Sequence, residues 1–418
     1  MRKMTPHEKR STIRNAPKFI AVDFFCGAGG ATRGLIDAGG YVVAGVDKEG
    51  SCRKTYEANN FNTTGDRAGA KYVQMDIFDK TDDYPEGQGE ELMRELQRLL
   101  DPHQRTYPHV PLLFAICAPC QPFTGLTRIE MTDERRNRRI RDRGLLAQTF
   151  KFVQEFAPTI IISENVAGIQ NPSYGGVWQD FMERLKSEGY VVGSGIVDAS
   201  EFGVPQKRKR SIMVAVHKNS CRPDIILNEG GEGERLLIPE FDPEVDPVTV
   251  AQAIGHLPPL KAGEKHDRIP NHQSQRLSDI NLRRIQLAQP GGRNDVLIEA
   301  GLGLPCHQRM RDKGKSGGFS DFYMRMAPDR PAPTITTKCT NISNGRFGHF
   351  DPSQDRGITV REAAALQSFP DDYEFYAPSL GDQAKMVGNA IPPRLMRFFA
   401  IAMVRALRDN VRPYYFPA

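Results

Sequence analysis

Short apolar runs that stop on an acid, a glycine turn or a cysteine constrain this chain more than any other feature. Lys18-Phe19-Ile20-Ala21-Val22-Asp23-Phe24-Phe25 runs into Cys26-Gly27-Ala28-Gly29-Gly30. Tyr41-Val42-Val43-Ala44-Gly45-Val46-Asp47 ends on an acid, as does Tyr72-Val73-Gln74-Met75-Asp76. Pro111-Leu112-Leu113-Phe114-Ala115-Ile116-Cys117 and Thr159-Ile160-Ile161-Ile162-Ser163 follow, the latter leading into Glu164-Asn165. Helix-like stretches lie between them, for example at 90–100 and 145–156. Strands alternating with helices predict βαβ units and a parallel sheet, an α/β fold. Such a sheet takes its ligands beyond the carboxyl ends of its strands. The residues just past those ends are therefore where chemistry is expected.

After about residue 218 the alternation is lost. To about residue 355, Gly, Pro, Asn and charged residues are frequent, which predicts a second, smaller, loop-rich domain. A helix is expected over 359–369, and another over 394–407 after Gly388-Asn389-Ala390-Ile391-Pro392-Pro393. No apolar stretch approaches the ~20 residues that span a bilayer. The charged start Met1-Arg2-Lys3 leads into no apolar core, so no signal peptide is expected. Seven scattered cysteines suit a reduced, intracellular protein. The net charge of +5 (56 basic against 51 acidic residues) permits a polyanionic partner without requiring one.

The Gly27/Gly29/Gly30 turn is not a dinucleotide fingerprint, because Thr32 stands at the third glycine position. It is not a phosphate loop either, because Leu35 follows Gly34 where lysine is needed. Asp47 falls 47 − 27 = 20 residues after Gly27, the usual offset for an acid that grips ribose hydroxyls. A nucleoside cofactor without a pyrophosphate fits, S-adenosylmethionine above all. The plainer alternative is a glycine-rich turn with a surface aspartate.

Cys117-Ala118-Pro119-Cys120-Gln121-Pro122-Phe123 has the spacing of a redox dithiol or half a zinc site, but no second such pair completes a zinc site. Cys117 closes an apolar strand and reads equally well as core. Cys120, on a proline-stiffened loop, is a candidate nucleophile that needs a nearby cation or base to ionise. Glu164 follows an apolar strand, where desolvation would raise its pKa and let it act as an acid near neutral pH. An innocent acid at a helix start is the alternative. Gln206-Lys207-Arg208-Lys209-Arg210 leads into a strand over 211–216, and on a strand Gln206, Arg208 and Arg210 share a face. Residues 128–143 hold seven arginines, among them Arg135, Arg136, Arg138 and Arg139. They read as a solvated helix face or as a mobile, phosphate-contacting lid.

Taken together, these segments resemble the DNA (cytosine-5) methyltransferases. The resemblance rests on six motifs in order along nearly the whole chain. They are Asp23-Phe24-Phe25-Cys26-Gly27-Ala28-Gly29-Gly30, Pro119-Cys120-Gln121-Pro122-Phe123, Glu164-Asn165-Val166, Gln206-x-Arg208-x-Arg210, Arg361-Glu362-Ala363-Ala364-Ala365-Leu366-Gln367-Ser368-Phe369-Pro370 and Gly388-Asn389-Ala390-Ile391-Pro392-Pro393. A weaker match is Ala332-Pro333-Thr334-Ile335-Thr336-Thr337.

The resemblance implies a Rossmann-like methyltransferase sheet that uses S-adenosyl-L-methionine, with a target-recognition domain. The domains implied are 1–235 for catalysis and cofactor, 236–380 for DNA reading with a hinge, and 381–418 returning to the first. It implies a cofactor site of Phe25, Gly27, Gly29, Asp47, Lys48, Asp76, Ile77, Pro119, Gln121, Leu145 and Asn389. Within it, Asp47 would hold the ribose hydroxyls and Asp76 the adenine amino group. The family often has glutamate at the position of Asp47 and an aromatic at that of Lys48. Cys120 is implied as nucleophile, with Glu164, Arg208 and Arg210 around a flipped cytosine. Gln206, Thr334, Thr336 and the arginines of 128–143 are implied on the DNA side, the last as a closing loop. The implied partner is duplex DNA, bound by a monomer in the bacterial cytoplasm or nucleoid, with any cognate restriction endonuclease acting separately. No metal is expected. Three alternatives stand beside this: an RNA methyltransferase of the same chemistry, a catalytically dead DNA-binding relative, and a thiol redox protein using Cys117 and Cys120.

Overall fold

Strands buried on both faces need continuous apolar sequence, and the central strands of this chain have it. A computed structural model of the chain describes residues 16–82, 84–119, 144–171, 176–229, 233–239, 246–305, 309 and 320–408. The chain divides into two units: Met1–Val197, Lys209–Glu240 and Met396–Ala418 form the first, and Asp198–Arg208 and Phe241–Leu395 the second.

The first unit is built on β1 (Ile20–Phe24), β2 (Tyr41–Asp47), β3 (Lys71–Gln74), β4 (Leu112–Ile116), β5 (Ile160–Val166), β6 (Tyr190–Asp198) and β7 (Lys209–His217). Their order in the sheet is β3-β2-β1-β4-β5-β7-β6. β1 to β5 pair in parallel, and β7 pairs antiparallel with β5. Every residue of β1 and β4 is buried. Helices α1 (Gly30–Asp37), α2 (Arg53–Asn59), α3 (Gly89–Thr106), α4 (Phe150–Phe156) and α5 (Val177–Ser187) belong to this unit. In α3, Leu92, Leu96 and Leu100 recur every four residues and are all buried, so one stripe faces the core. Glu90 and Glu91 in its first turn, with His103 and Arg105 in its last, match the helix dipole. Phe24 packs at the core centre with ring centroids 5.1 Å from Phe114 and 5.4 Å from Phe152.

The parallel α/β sheet expected from the apolar runs is therefore present. β6 was not anticipated, nor was the hairpin of β8 (Ile226–Glu229) and β9 (Gly233–Leu236). Among the described residues, no helix is long and apolar enough to cross a membrane.

The second unit carries short helices: α6 (Val250–Ile254), α7 (Asp279–Leu287), α8 (Asp295–Glu299), α9 (Val360–Leu366) and α10 (Leu380–Asn389). Helix α11 (Pro393–Arg405) then carries the chain back to the first unit. Thr249 with Gln252, and Thr359 with Glu362, close capping boxes at the starts of α6 and α9. Loops between short helices leave many carbonyls without a helical or strand partner, and a buried carbonyl must be satisfied. Here arginine does it. Arg325, Arg356 and Arg361 are among the largest fully buried side chains. Arg325 donates to the carbonyls of Ala288, His349, Asp351 and Gln354. Arg361 donates to those of Pro370, Asp371 and Tyr373.

Arg356 makes a two-pronged bond to Glu362 (2.8 and 2.7 Å) and also donates to the carbonyls of Leu260 and Gly357. Burial pushes the Glu362 carboxyl up. The Arg356 hydrogen bonds and charge, His349 and the Thr359 N–H outweigh it and hold the group at about 2. A depressed carboxyl stabilises the fold fully above its ordinary range, and that stability is lost as pH falls toward the folded value. Arg356→Met should cost about 3–5 kcal/mol in urea unfolding at pH 7, because it strands a buried charge. Arg356→Met with Glu362→Gln should recover most of that loss. The double variant should also lack the wild-type decline in stability between about pH 4.5 and 2. A single variant as stable as the wild type would show that the pair does not hold the unit.

Candidate active site

The turn after β1 is wound the left-handed way. Phe25 has φ 62°, Gly27 49° and Gly29 91°. Glycine takes these values freely, whereas Phe25 is held there against its preference. Two aspartates fix the turn. At the end of β2, Asp47 accepts from the Gly27 N–H through Oδ2 and from the Glu49 N–H through Oδ1, both at 2.9 Å. Burial pushes the Asp47 carboxyl up, against these two bonds. Each oxygen keeps a second lone pair for a ligand hydroxyl.

Under the turn, Asp23 is fully buried and accepts from Thr32 Oγ1 at 2.6 Å. The Tyr56 hydroxyl lies 3.0 Å from the same Thr32 oxygen. The other carboxylate oxygen of Asp23 has no hydrogen-bond partner among the described residues. Burial pushes this carboxyl up to about 7, although Thr32 opposes it.

Asp76 follows β3. Its Oδ1 accepts from the Phe78 N–H at 3.0 Å and its Oδ2 from the Tyr84 hydroxyl at 2.5 Å, with Lys48 Nζ 4.0 Å from Oδ2. Ile77 and Leu145 are buried in one apolar cluster, and Phe25 packs against it. Ile77 and Leu145 thus lie in the core of the first unit and Phe25 lies on it. Pro119 is exposed beyond β4.

The antiparallel pairing of β7 sets the other half of the site. Arg210 pairs with Val166, which makes Glu164 its diagonal neighbour on the same face. Arg210 Nε lies 2.7 Å from Glu164 Oε1, and both side chains are about nine-tenths buried. Asn165, for which the sequence suggested no separate role, donates from Nδ2 to the Ala118 carbonyl at 3.0 Å. Ser163 Oγ donates to the Ile116 carbonyl. The segment leading to Cys120 is thereby fastened to the end of β5. Burial, then Glu164 and Asp23, push the Cys117 thiol well above its ordinary value. A buried thiol held neutral is a poor redox partner, which argues against the dithiol alternative.

In the second unit, Gln206 is fully buried. Its amide donates to the Leu366 carbonyl and to Gln367 Oε1, and accepts from the Ile335 N–H. Arg208 donates to the carbonyls of Ile335, Gly388 and Ala390. Gln367 donates to the carbonyls of Val387 and Ala390. Gly388 must be glycine, because a Cβ would meet the Thr336 carbonyl carbon at 2.3 Å. Thr334 Oγ1 donates to the Lys207 carbonyl, Thr336 is exposed, and Asn389 ends α10 exposed. Strand β7 begins only at Lys209, so the shared face expected of Gln206, Arg208 and Arg210 does not start from strand geometry. Cys120, Gln121, Arg135, Arg136, Arg138 and Arg139 lie outside the described residues.

The position of Asp23 has a measurable sign. A carboxyl raised to about 7 takes up a proton in the fold that the unfolded chain lacks, so stability falls as pH rises toward that value. Asp23→Asn removes the titration. The variant should gain on the wild type between pH 5 and 7 by up to about 1.4 kcal/mol per pH unit, read from urea unfolding. Parallel pH profiles for the two proteins would show that Asp23 does not titrate in this range.

The profile of the family described as C-5 cytosine-specific DNA methylase matches residues 19–405. The type II methylase M.HgiDII of Herpetosiphon aurantiacus is 33% identical over 390 residues, covering 92% of this chain and 95% of that protein. The type II methyltransferase M1.HphI of Haemophilus parahaemolyticus is 29% identical, covering 92% and 86%. Among solved structures, a prophage-encoded E. coli protein described as a DNA modification methyltransferase aligns with TM-score 0.62 at 19% identity, covering 93% and 99% of the two chains. Spodoptera frugiperda DNMT2 aligns with TM-score 0.52 at 15% identity, covering 93% and 99%. At such identities the structural likeness speaks for the fold. The family profile spans nearly the whole chain, and this chain belongs to the C-5 cytosine-specific DNA methylases.

Proposed function

We propose that this chain methylates carbon 5 of a flipped cytosine in a specific duplex DNA sequence, with S-adenosylmethionine as donor and Cys120 as nucleophile. The observation that carries the reading is the Glu164–Arg210 pair at the carboxyl edge of the sheet, beside an Asn165 side chain that fastens the segment running to Cys120.

The residues present fit the cofactor. Carboxylates stand at the end of β2 and just past the end of its neighbour β3, one suited to ribose hydroxyls and one to an amino group. The left-handed turn leaves open space at Gly27, where a Cβ would meet no atom within 4 Å. Asp47 would hold the ribose and Asp76 the adenine amino group, with Phe25, Ile77, Leu145, Pro119 and Gln121 completing the site. When bound, the cofactor supplies an electrophilic methyl on a sulfonium.

Carbon 5 of cytosine is a weak nucleophile. The Cys120 thiolate adds to carbon 6 and makes carbon 5 enamine-like. Negative charge then develops toward ring nitrogen 3, where Glu164 supplies a proton or hydrogen bond. Arg210 fixes the Glu164 side chain and brings positive charge to the same edge. Once carbon 5 carries the methyl, its proton passes to solvent, and the electron pair left behind restores the 5,6 double bond and expels Cys120 as thiolate. The base must leave the stack to reach Cys120. Residues 236–380 read the sequence, and the arginines of 128–143 add positive charge for the DNA phosphates. The chain acts as a monomer in a bacterial modification setting, with any cognate endonuclease acting separately.

Fluorine at carbon 5 cannot leave as a proton does. Duplex DNA carrying 5-fluorocytosine at the target should therefore form a denaturant-resistant complex that depends on S-adenosylmethionine. Cys120→Ser should abolish it, since a hydroxyl is far less ionised and less nucleophilic than a thiol. Cys117→Ser should keep it. Glu164→Gln should bind DNA but trap about 10²–10⁴-fold more slowly, the usual share of a general acid. A complex that survives Cys120→Ser but not Cys117→Ser would reassign the nucleophile. A complex formed on transfer RNA and never on duplex DNA would overturn the substrate class.

A further inference from the structure

The loop after β3 folds back on the carboxylate that precedes it. Asp76 is 7% exposed. Its Oδ1 accepts from the Phe78 N–H, its Oδ2 from the Tyr84 hydroxyl, and Lys48 Nζ stands 4.0 Å from Oδ2. The loop that carries Tyr84 is tightly built. Thr81 and Tyr84 exchange backbone hydrogen bonds at 3.1 and 3.0 Å, and the Gly87 N–H donates to the Tyr84 carbonyl at 3.2 Å. Gly87 admits no side chain, because a Cβ would lie 2.3 Å from the Asp79 carbonyl oxygen. The Tyr84 ring meets Phe78 edge-on at 5.3 Å. The Gly89 N–H closes the loop onto the Phe78 carbonyl at 2.7 Å. The hydroxyl is therefore delivered to Asp76 by a fixed frame.

An ionised carboxylate that already receives two donors, with a cation beside it, presents only acceptor sites outward. Such a group accepts from an exocyclic amino group and repels a carbonyl oxygen in the same place. A site built around one hydrogen-bond polarity discriminates far more strongly than an apolar pocket does.

We propose that Tyr84 is a specificity-determining positioning residue. It holds the Asp76 carboxylate so that the site takes an adenine nucleoside and rejects its deaminated, inosine-type counterpart. This rests on the reading of Asp76 as the adenine partner. Lys48 supports the same carboxylate, at the position where the family often carries an aromatic.

The test is calorimetry on the full chain with two ligands, S-adenosylhomocysteine and S-inosylhomocysteine, without turnover. The wild type should prefer the first. Tyr84→Phe keeps the ring and its contact with Phe78 and removes only the hydroxyl. It should weaken the adenosyl ligand by about tenfold, the worth of one hydrogen bond to a charged group, and leave the inosyl ligand nearly unchanged. Asp76→Asn, whose amide can donate to a carbonyl, should narrow or invert the preference.

A Tyr84→Phe protein that weakens both ligands equally would make the hydroxyl a merely structural brace and overturn the proposal. Tighter adenosyl binding in Tyr84→Phe would mean that the hydroxyl occupies the amino group's place, and would overturn it too. If Asp76→Asn abolishes the preference while Tyr84→Phe leaves the ratio at the wild-type value, Tyr84 is wrong and the cofactor site stands. If Asp76→Asn changes neither affinity, the adenine assignment of Asp76 falls and the proposal falls with it.

Discussion

The antiparallel course of β7 brings a cation to the carboxyl edge of an otherwise parallel run of strands. A strand running with β5 would begin at the opposite edge of the sheet, and its first residues would lie far from Glu164. Because β7 runs against β5, its first turn of sequence lies beside the last residues of that strand, and Arg210 falls diagonal to Glu164. The pair is buried, so truncating either partner leaves a charge in a poor medium, and each holds the other in place. The neighbouring Asn165 and Ser163 side chains reach across to β4 and tie the next loop to the same edge. Three consecutive residues of β5 thus do separate work at one place.

Carboxylates at strand ends meet a different demand. In the proposed site Asp47 offers acceptor capacity outward, and both its oxygens are anchored by N–H groups of the chain around it. Asp76 is anchored in the same manner, with a hydroxyl and an N–H in place of two amides. Anchoring costs little ordering on ligand arrival, because the side chains are already fixed. The left-handed Phe25 belongs to the same turn, a residue held off its preferred backbone region two positions before the Gly27 N–H that Asp47 accepts from.

The sheet was legible in the sequence because each buried strand is an apolar run with an abrupt polar end. β6 was not, because Gly193 and Gly195 interrupt the apolar run of Tyr190-Val191-Val192-Gly193-Ser194-Gly195-Ile196-Val197-Asp198. Asp47 and Asp76 could be picked out by their places after apolar runs. Tyr84 could not, since its hydroxyl meets Asp76 only after a loop whose path no periodicity records. The basic segment was read as a strand face from Gln206 onward. Alternation is valid only where a strand exists, and the chain before Lys209 instead buries Gln206 and Arg208 among carbonyls of the second unit. Buried arginine is the hardest case of all, because the residue type almost always signals surface.

Arg325 and Arg361 hold their loops by main-chain oxygens, and those oxygens are present whatever side chains the loops carry. A loop fastened through its backbone from within can exchange its outward residues without loosening the fastening. Divergence is then decoupled from foldability: a lineage could rewrite the exposed vocabulary of the second unit many times over while retaining a handful of guanidinium staples as its grammar.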